Sequence, residues 1–387
     1  MQAVILAAGE GRRLEPLTDV RPKPMLPIAN RPLLEHVVEA VADAGIEELV
    51  LVVGYKRERI QDYFGDGHDW GVDIEYAVQS KQLGGAHALL QAEPLVDGEF
   101  VVLNGDRIIE SRMVSQLVEA VGGDDDVLMT VTPVDEPSNY GVVELDGQRV
   151  VGLTEKPPAR AVTSNIINAG VYAFGAEIFE AIRATETTGE LAIPAVLQPL
   201  VADRRVRAVP FHGMWLDVSY LWDLLSVNAA VLDQQGSAVA RSARVHDRAT
   251  VTGTVAIGAD TRIRPGATVL QGTALGENVN VGANAVVANA VVLPDATIEP
   301  GCVVRDCIVG ENARIGPNTT VEGGRADVVI DETFYADVRL GGVFGDNAAL
   351  GGAVTAEPGT VVGTGATVES GSVLAGHVGA GAEVRRG

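Results

Sequence analysis

The sequence predicts an α/β protein in two parts, a doubly wound, Rossmann-like sheet followed by a solenoid of short parallel strands. Three observations carry that expectation. Aliphatic runs of strand length alternate with helical patterns through the first 228 residues, the first run opens directly into a glycine loop, and beyond residue 238 aliphatic residues recur at every sixth position. The expected boundaries are 1–228 for the first domain, 229–236 for a linker and 237–387 for the solenoid.

Strands are expected over 3–7, 48–54 (ELVLVVG), 73–78, 99–104 (EFVVLN) and 127–132, and helices over about 32–44, 56–64, 84–92 and 111–121. Such alternation builds a sheet whose ligands sit beyond the carboxyl ends of its strands. The loop at Gly9 and the carboxylate of Asp106 both fall at strand ends. Two strands therefore aim at one crevice. A strand-like run over 205–211 and a helix over about 218–233 close this part, with Gln234-Gln235-Gly236 leading out of it.

The run Val4-Ile5-Leu6 passes without a spacer into Ala7-Ala8-Gly9-Glu10-Gly11-Arg12-Arg13. Glycines let the backbone approach an anion, and their N–H groups with two guanidiniums can hold several phosphate oxygens. On its own such a loop is equally a tight strand-to-helix turn. Pro22, Pro24 and Pro27 add weight to the first reading, because they stiffen the chain around Lys23. A cation in a rigid frame is a poor choice for mere solubility.

Together, Gly9, Gly11, Arg13, Pro16-Leu17-Thr18 and Pro22-Lys23-Pro24-Met25-Leu26 resemble the signature of the sugar-1-phosphate nucleotidylyltransferases. The resemblance implies that Leu6, Ala8, Gly9 and Gly11 wrap a nucleoside triphosphate. It implies that Arg13 contacts the phosphates and that Lys23 bridges the nucleotide and sugar phosphates. Gln79 and Gly84, in Gly84-Gly85-Ala86-His87, resemble the segment that reads a pyrimidine base, which leaves UTP and dTTP both open. His87 reads as a packed helix residue.

Asp106 closes Leu103-Asn104-Gly105-Asp106, where a carboxylate can also be a simple turn residue. Two phosphate-rich reactants repel each other, so a divalent ion is needed, and Mg²⁺ prefers a few carboxylates plus phosphate oxygens. Asp217, in Trp215-Leu216-Asp217-Val218, is the second such carboxylate, and the resemblance assigns Mg²⁺ to Asp106 and Asp217. In the same way Gly141 (in Asn139-Tyr140-Gly141-Val142-Val143), Glu155 and Lys156 before Pro157, and Asn168 before Ala169-Gly170 resemble motifs that hold a sugar phosphate. Taken singly these are ordinary surface residues. Lys156 is one of four lysines in the chain. The resemblance covers residues 1 to about 228.

In the second part the repeat runs through Val245, Val251, Ile257, Ile263, Val269, Leu275, Val281, Val287 and Leu293, with small or β-branched residues two positions earlier. Six is neither a helical nor a hairpin period, and it suits short strands separated by turns. The pattern resembles the left-handed β-helix of hexapeptide-repeat proteins, which implies a homotrimer. The phase slips near Ile298 and returns with Val309, Ile315 and Val321; residues 322–340 break it as an excursion or hairpin.

Bifunctional relatives that make UDP-N-acetylglucosamine use this domain for acyl transfer, with a histidine as the base. Where they carry a His-Leu-Ser-Tyr stretch, this chain reads Arg305-Asp306-Cys307-Ile308. An arginine does not deprotonate in proteins. The domain's histidines, His246 and His377, lie at its two ends. The solenoid is therefore expected to be mainly structural.

The formal net charge of −23 argues against nucleic-acid and anionic-membrane partners, which would be repelled. Small molecules and further copies of the chain are the expected partners. Four lysines against 25 arginines in so acidic a chain suit a high-salt cytoplasm, where screening removes self-repulsion, although a GC-rich genome produces part of the same bias. Cys302 and Cys307 are too few for a disulfide framework. The chain starts directly with a strand and contains no run of 18 apolar residues, so a cytoplasmic protein is expected.

The implied reaction is attack of a sugar-1-phosphate oxygen on the α-phosphorus of UTP or dTTP, with pyrophosphate leaving. Glucose 1-phosphate is the first choice of sugar and N-acetylglucosamine 1-phosphate the second. The rivals are the bifunctional enzyme, a non-catalytic regulatory subunit of the same layout, and a solenoid scaffold. Joint presence of Arg13, Lys23, Asp106 and Asp217 speaks against the regulatory subunit.

Overall fold

Aliphatic runs become the central strands of a mixed sheet in the computed structural model, which describes residues 1–122, 127–330 and 333–386. In chain order the elements are β1 (Gln2–Ala7), α1 (Leu33–Asp43), β2 (Glu48–Val53), α2 (Arg57–Phe64), β3 (Asp73–Val78), α3 (Gly85–Gln91), β4 (Phe100–Asn104), α4 (Ser111–Ala120) and β5 (Val127–Pro133). They continue with β6 (Gly141–Asp146), β7 (Arg149–Glu155), β8 (Ile166–Phe174), α5 (Glu177–Ala184), α6 (Ile193–Ala202), β9 (Val206–Pro210) and α7 (Leu221–Gln235). The sheet order is β3-β2-β1-β4-β8-β5-β9-β7-β6.

One half of this sheet is parallel. Val4 of β1 lies opposite Val50 of β2 and Val102 of β4, and β3 continues the parallel set at the edge. The central strands are buried along nearly their whole length, as strands covered on both faces are. Helices α1 and α4 pack together, and α3 packs with α5 and α6. The other half departs from a purely doubly wound sheet, since β8 runs antiparallel to β4 and β5, and β6 and β7 form an antiparallel hairpin. Short connections such as Asp146 to Arg149 permit only antiparallel neighbours.

By contacts the chain divides into two compact units, Met1–Glu10 with Leu33–Leu216, and Gly11–Pro32 with Asp217–Gly387. This grouping differs from a single cut after residue 228, and its cause lies in the packing of the second unit. The buried Arg21 guanidinium meets Asp346 Oδ2 and Glu311 Oε2, each at 2.8 Å. Thr364 Oγ1 donates to Asp19 Oδ2 at 2.7 Å, and Asn30 Nδ2 to the Leu275 carbonyl at 2.7 Å. Asn228, fully buried on α7, accepts from the Ala29 N–H and donates to the Gly272 carbonyl, both at 2.9 Å. The expected linker 229–236 is also mostly helical. Buried Val231 and Leu232 extend α7 to Gln235, and Gly236 ends it at a φ of 83°.

Residues beyond Gly236 form a parallel β-helix. Paired strands lie 18 residues apart in the first coils, with Ala238 opposite Ala256, Arg244 opposite Arg262 and Thr250 opposite Thr268. One aliphatic side chain per short strand points to a shared core, including Ile263, Val269, Leu275, Val281 and Val287. The phase slip falls earlier than expected. Leu275 pairs with Val292, not Leu293, so the coil loses one residue between Val287 and Val292, and Val304 to Val309 repeats the loss in the next coil. Each shortened corner lies inside a longer strand, Val286–Val292 or Val303–Val309. The expected excursion is an antiparallel hairpin, Arg325–Ile330 with Thr333–Arg339.

Candidate functional site

In the first unit Leu6, Ala8, Gly9 and Asp106 lie at the carboxyl ends of β1 and β4. The chain leaves β1 through Ala8, whose carbonyl accepts from Gln82 Nε2 at 2.9 Å. A Cβ placed at Gly9 would meet no atom within 4 Å, so the loop there faces open space. One strand over, the Gly105 N–H donates to the Leu6 carbonyl at 2.9 Å and ties the start of the Asp106 turn to β1. Asp106 itself has the Arg107 guanidinium beside it, Nε to Oδ1 at 3.5 Å.

Arg107 continues the site toward β8. Its guanidinium lies 4.9 Å over the Trp215 ring, and Trp215 Nε1 donates to the Ala169 carbonyl at 2.8 Å. Tyr140 packs edge-on against the same indole. Next to Ala169, Asn168 Oδ1 accepts from the Gly170 N–H at 3.0 Å and Asn168 Nδ2 donates to the Tyr172 hydroxyl at 2.7 Å. Burial pushes the Tyr172 pKa up, with Asn168 and Arg107 opposing and Glu155 adding to the rise. Tyr172 therefore stays a neutral hydroxyl.

Gly141, Glu155 and Asn168, distant in sequence, come together here. A Cβ at Gly141 would lie 2.9 Å from Glu155 Oε2 and 3.6 Å from Asn168 Cβ. Lys156 is exposed, with a left-handed φ of 43°, and its N–H donates to the Tyr140 carbonyl at 3.0 Å. Gln79 is more committed than expected. Its buried amide nitrogen lies 3.1 Å from the Gly84 carbonyl and 2.9 Å from His87 Nδ1. Gly84 has no room for a side chain, since a Cβ would stand 2.5 Å from the Leu191 carbonyl oxygen.

The second unit holds Arg13 and Lys23. Gly11 sits at a φ of 75°, and a Cβ there would come within 2.7 Å of Lys23 Cβ and 3.1 Å of Thr18 Cγ2. Thr18 Oγ1 donates to the Gly11 carbonyl at 3.0 Å, so glycine, threonine and lysine are packed as one piece. The Arg13 guanidinium lies 5.7 Å over the Tyr220 ring. Tyr220 stacks on Trp222, and its hydroxyl meets that of Tyr335 at 2.7 Å. Burial, then the Tyr335 contact, raises the Tyr220 pKa to about 12.

Asp217 Oδ2 accepts from Ser219 Oγ at 2.7 Å. Asp223 Oδ2 accepts from the Ser219 and Tyr220 N–H groups at 2.9 and 2.8 Å at the start of α7. Burial raises the Asp223 pKa to about 6; those two hydrogen bonds and Lys23 oppose the rise, and Asp217 adds to it. Lys23 thus stands in the field of the Asp223 carboxylate.

Among the described residues no three carboxylate, histidine or cysteine side chains cluster as a complete metal cage. Magnesium takes one or two carboxylates and completes its octahedron with substrate phosphates and water. Asp106, in the first unit, and Asp217, in the second, each carry hard, anionic oxygens of the kind that magnesium takes.

Sequence reasoning named no role for Gln82, Arg107 and Tyr172, and quoted Tyr140 and Trp215 only as neighbours of Gly141 and Asp217. Trp215, one of three tryptophans and two residues from Asp217, was the available signal.

A family model described as Nucleotidyl transferase matches residues 2–234, and one described as GMPPB C-terminal domain matches 251–376. The bifunctional protein GlmU of Methanococcus maripaludis is 32% identical over 396 positions, which cover 94% of this chain and 92% of that protein. The glucose-1-phosphate thymidylyltransferase of Streptomyces antibioticus is 33% identical over 371 positions, covering 90% and 93%. A Bacillus anthracis protein assigned as a glucose-1-phosphate thymidylyltransferase and solved in complex with a sucrose superposes with a TM-score of 0.56 at 26% identity, covering 59% of this chain and 94% of that one.

Proposed function

The chain belongs to the nucleotidyl transferase family, and from that premise we propose that it transfers UMP or dTMP from UTP or dTTP to a hexose 1-phosphate, glucose 1-phosphate first, with release of pyrophosphate. The observation that carries this reading is the single packed piece formed by Gly11, Thr18 and Lys23, which holds a lysine against the glycine loop. A sugar phosphate is already an anion near neutral pH, so catalysis needs no general base. It consists of positioning and charge neutralisation.

In this reading Leu6, Ala8, Gly9, Gly11, Gln79 and Gly84 seat the nucleotide, and Arg13 holds the triphosphate and the departing pyrophosphate. Lys23 lies between the reacting phosphates. Gly141 admits the sugar ring, and Glu155, Lys156 and Asn168 hold its hydroxyls and phosphate. Asp106 and Asp217 would hold magnesium, which supplies charge neutralisation when bound.

The relatives named bifunctional raise a second activity for the β-helix, but the stretch that would carry it is committed to structure. Asp306 Oδ1 accepts from Arg339 Nε at 2.9 Å and Asn289 Nδ2 at 2.6 Å, and Oδ2 from the Gly324 N–H at 2.9 Å. Cys307 is fully buried, and that burial pushes its thiol pKa up, which keeps it protonated and inert. This supports one activity rather than two.

The test is pyrophosphate release by the purified chain with Mg²⁺ in high salt, over UTP and dTTP against glucose, glucosamine and N-acetylglucosamine 1-phosphates. Release that needs both substrates is expected, with a fall of roughly 10²-fold or more in Lys23→Ala. Silence from folded, nucleotide-binding protein would instead support a regulatory subunit, and acetyl-CoA-dependent product from glucosamine 1-phosphate would restore the bifunctional reading.

A further inference from the structure

The first coils of the β-helix carry a basic cleft on a chain whose formal charge is −23. Its volume is about 460 Å³, and its lining includes Arg244, Val245, His246, Arg262, Ile263 and Arg264. Strand register explains how the charges meet. Arg244 lies directly opposite Arg262 on the neighbouring coil, and the His246 N–H donates to the Ile263 carbonyl, which sets His246 beside Arg264. Neighbouring strands are about 4.8 Å apart, so the two arginine stems stand in one ladder.

Like charges directly opposite each other in a sheet are destabilising. Among the described residues, none of Arg244, Arg262 and Arg264 forms an ion pair with a carboxylate; Arg264 Nε donates to the neutral Asn280 Oδ1 at 3.2 Å. The same β-helix shows the alternative a few coils later. Arg314 is supplied with Glu299, Nη2 to Oε1 at 3.0 Å. The first coils lack such a partner although acidic residues outnumber basic ones in the chain by 52 to 29. His246 adds a donor, because Nδ1 accepts from the Arg248 N–H at 3.1 Å and leaves Nε2 as the protonated nitrogen of the neutral ring.

We propose that this cleft binds a small ligand carrying two or more phosphate groups, held by Arg244, Arg262, Arg264 and His246. Guanidinium forks match phosphate oxygens in geometry as well as charge, and two arginines one strand spacing apart can each take a separate phosphate. The volume suits a ligand of nucleotide size. The cleft lies wholly within the β-helix, and the proposal is independent of the catalytic reading.

Calorimetric titration of the full chain with inorganic tripolyphosphate in chloride buffer tests it. The wild type is expected to bind one more equivalent than Arg244→Ser/Arg262→Ser, and that equivalent weakens as salt screens the arginines. Lys23→Ala should keep this equivalent, which separates it from phosphate held by the glycine loop. Pyrophosphate release without added effector should be unchanged in the double variant. Without ligand, that variant should melt no lower than wild type in low salt, since the substitution removes repulsion and no ion pair. Identical titrations of wild type and double variant would overturn the proposal. So would a change in oligomer mass without a change in tripolyphosphate binding, which would make the ladder a contact between copies.

Discussion

Asp223 keeps its charge against burial, and that makes the start of α7 sensitive to pH. Its carboxyl pKa is raised to about 6 from 3.8. A raised folded pKa means that the folded state holds its proton more tightly, so the stability contributed is complete below the unfolded pKa and is lost as pH climbs through about 6. Asp223→Asn keeps an oxygen to accept from Ser219 and Tyr220. The variant should match wild type near pH 4 and exceed it by on the order of 3 kcal/mol near pH 8, as urea denaturation across that range would reveal. At Gly11 the left-handed backbone and the nearby Lys23 stem act together. Gly11→Ala should cost about 1–3 kcal/mol in thermal melts and should lower turnover by moving Lys23. A variant of full activity and stability would show that the loop relaxes freely.

Between elements, the segment Gly11–Pro32 depends on β-helix residues for its place. Arg21→Ala would leave the Asp346 carboxylate buried without its main cation, a loss of about 3–5 kcal/mol. Adding Asp346→Asn should recover part of that loss, and denaturant midpoints of the single and double variants measure both. Burial already raises the Asp346 pKa and Arg21 lowers it, so the single variant should also hold a proton there to higher pH. The hairpin offers a gentler probe. Tyr335→Phe removes one hydroxyl contact of about 1 kcal/mol from Tyr220, the ring beneath Arg13. The expected result is a rise of up to about fivefold in KM for the nucleotide with kcat little changed.

For the molecule as a whole, local pattern foretold what local pattern controls. Strands β1 to β5, helices α1 to α4 and the sixfold repeat each followed from residues adjacent in sequence. The one-residue loss after Val287 escaped, because Val292 and Leu293 are both aliphatic and register against Leu275 decides between them. The packing of Tyr140, Tyr172 and Trp215 escaped as well, since single aromatics have no period. Gly141, Glu155 and Asn168 were named from motifs, yet their meeting depends on antiparallel pairing that no motif states. The homotrimer expected of the β-helix is a prediction at this scale. Light scattering of the full chain should give three chains per particle, and a monomer at micromolar concentration would dismiss it.

The bonds of Arg21 and Asp19 have a consequence for the order in which the protein is made. Domains usually fold in turn as they leave the ribosome, the N-terminal one first. Here residues 11–32 emerge near the beginning, while Glu311, Asp346 and Thr364, which fasten them, are added some 300 residues later. Until the coils that bear these residues are made, the segment has its bonds to Asn228 and Leu275 but not the ion pairs of Arg21. A chain released before Glu311 would carry every residue of the glycine loop and none of these three anchors, so the later coils govern how firmly the loop is held.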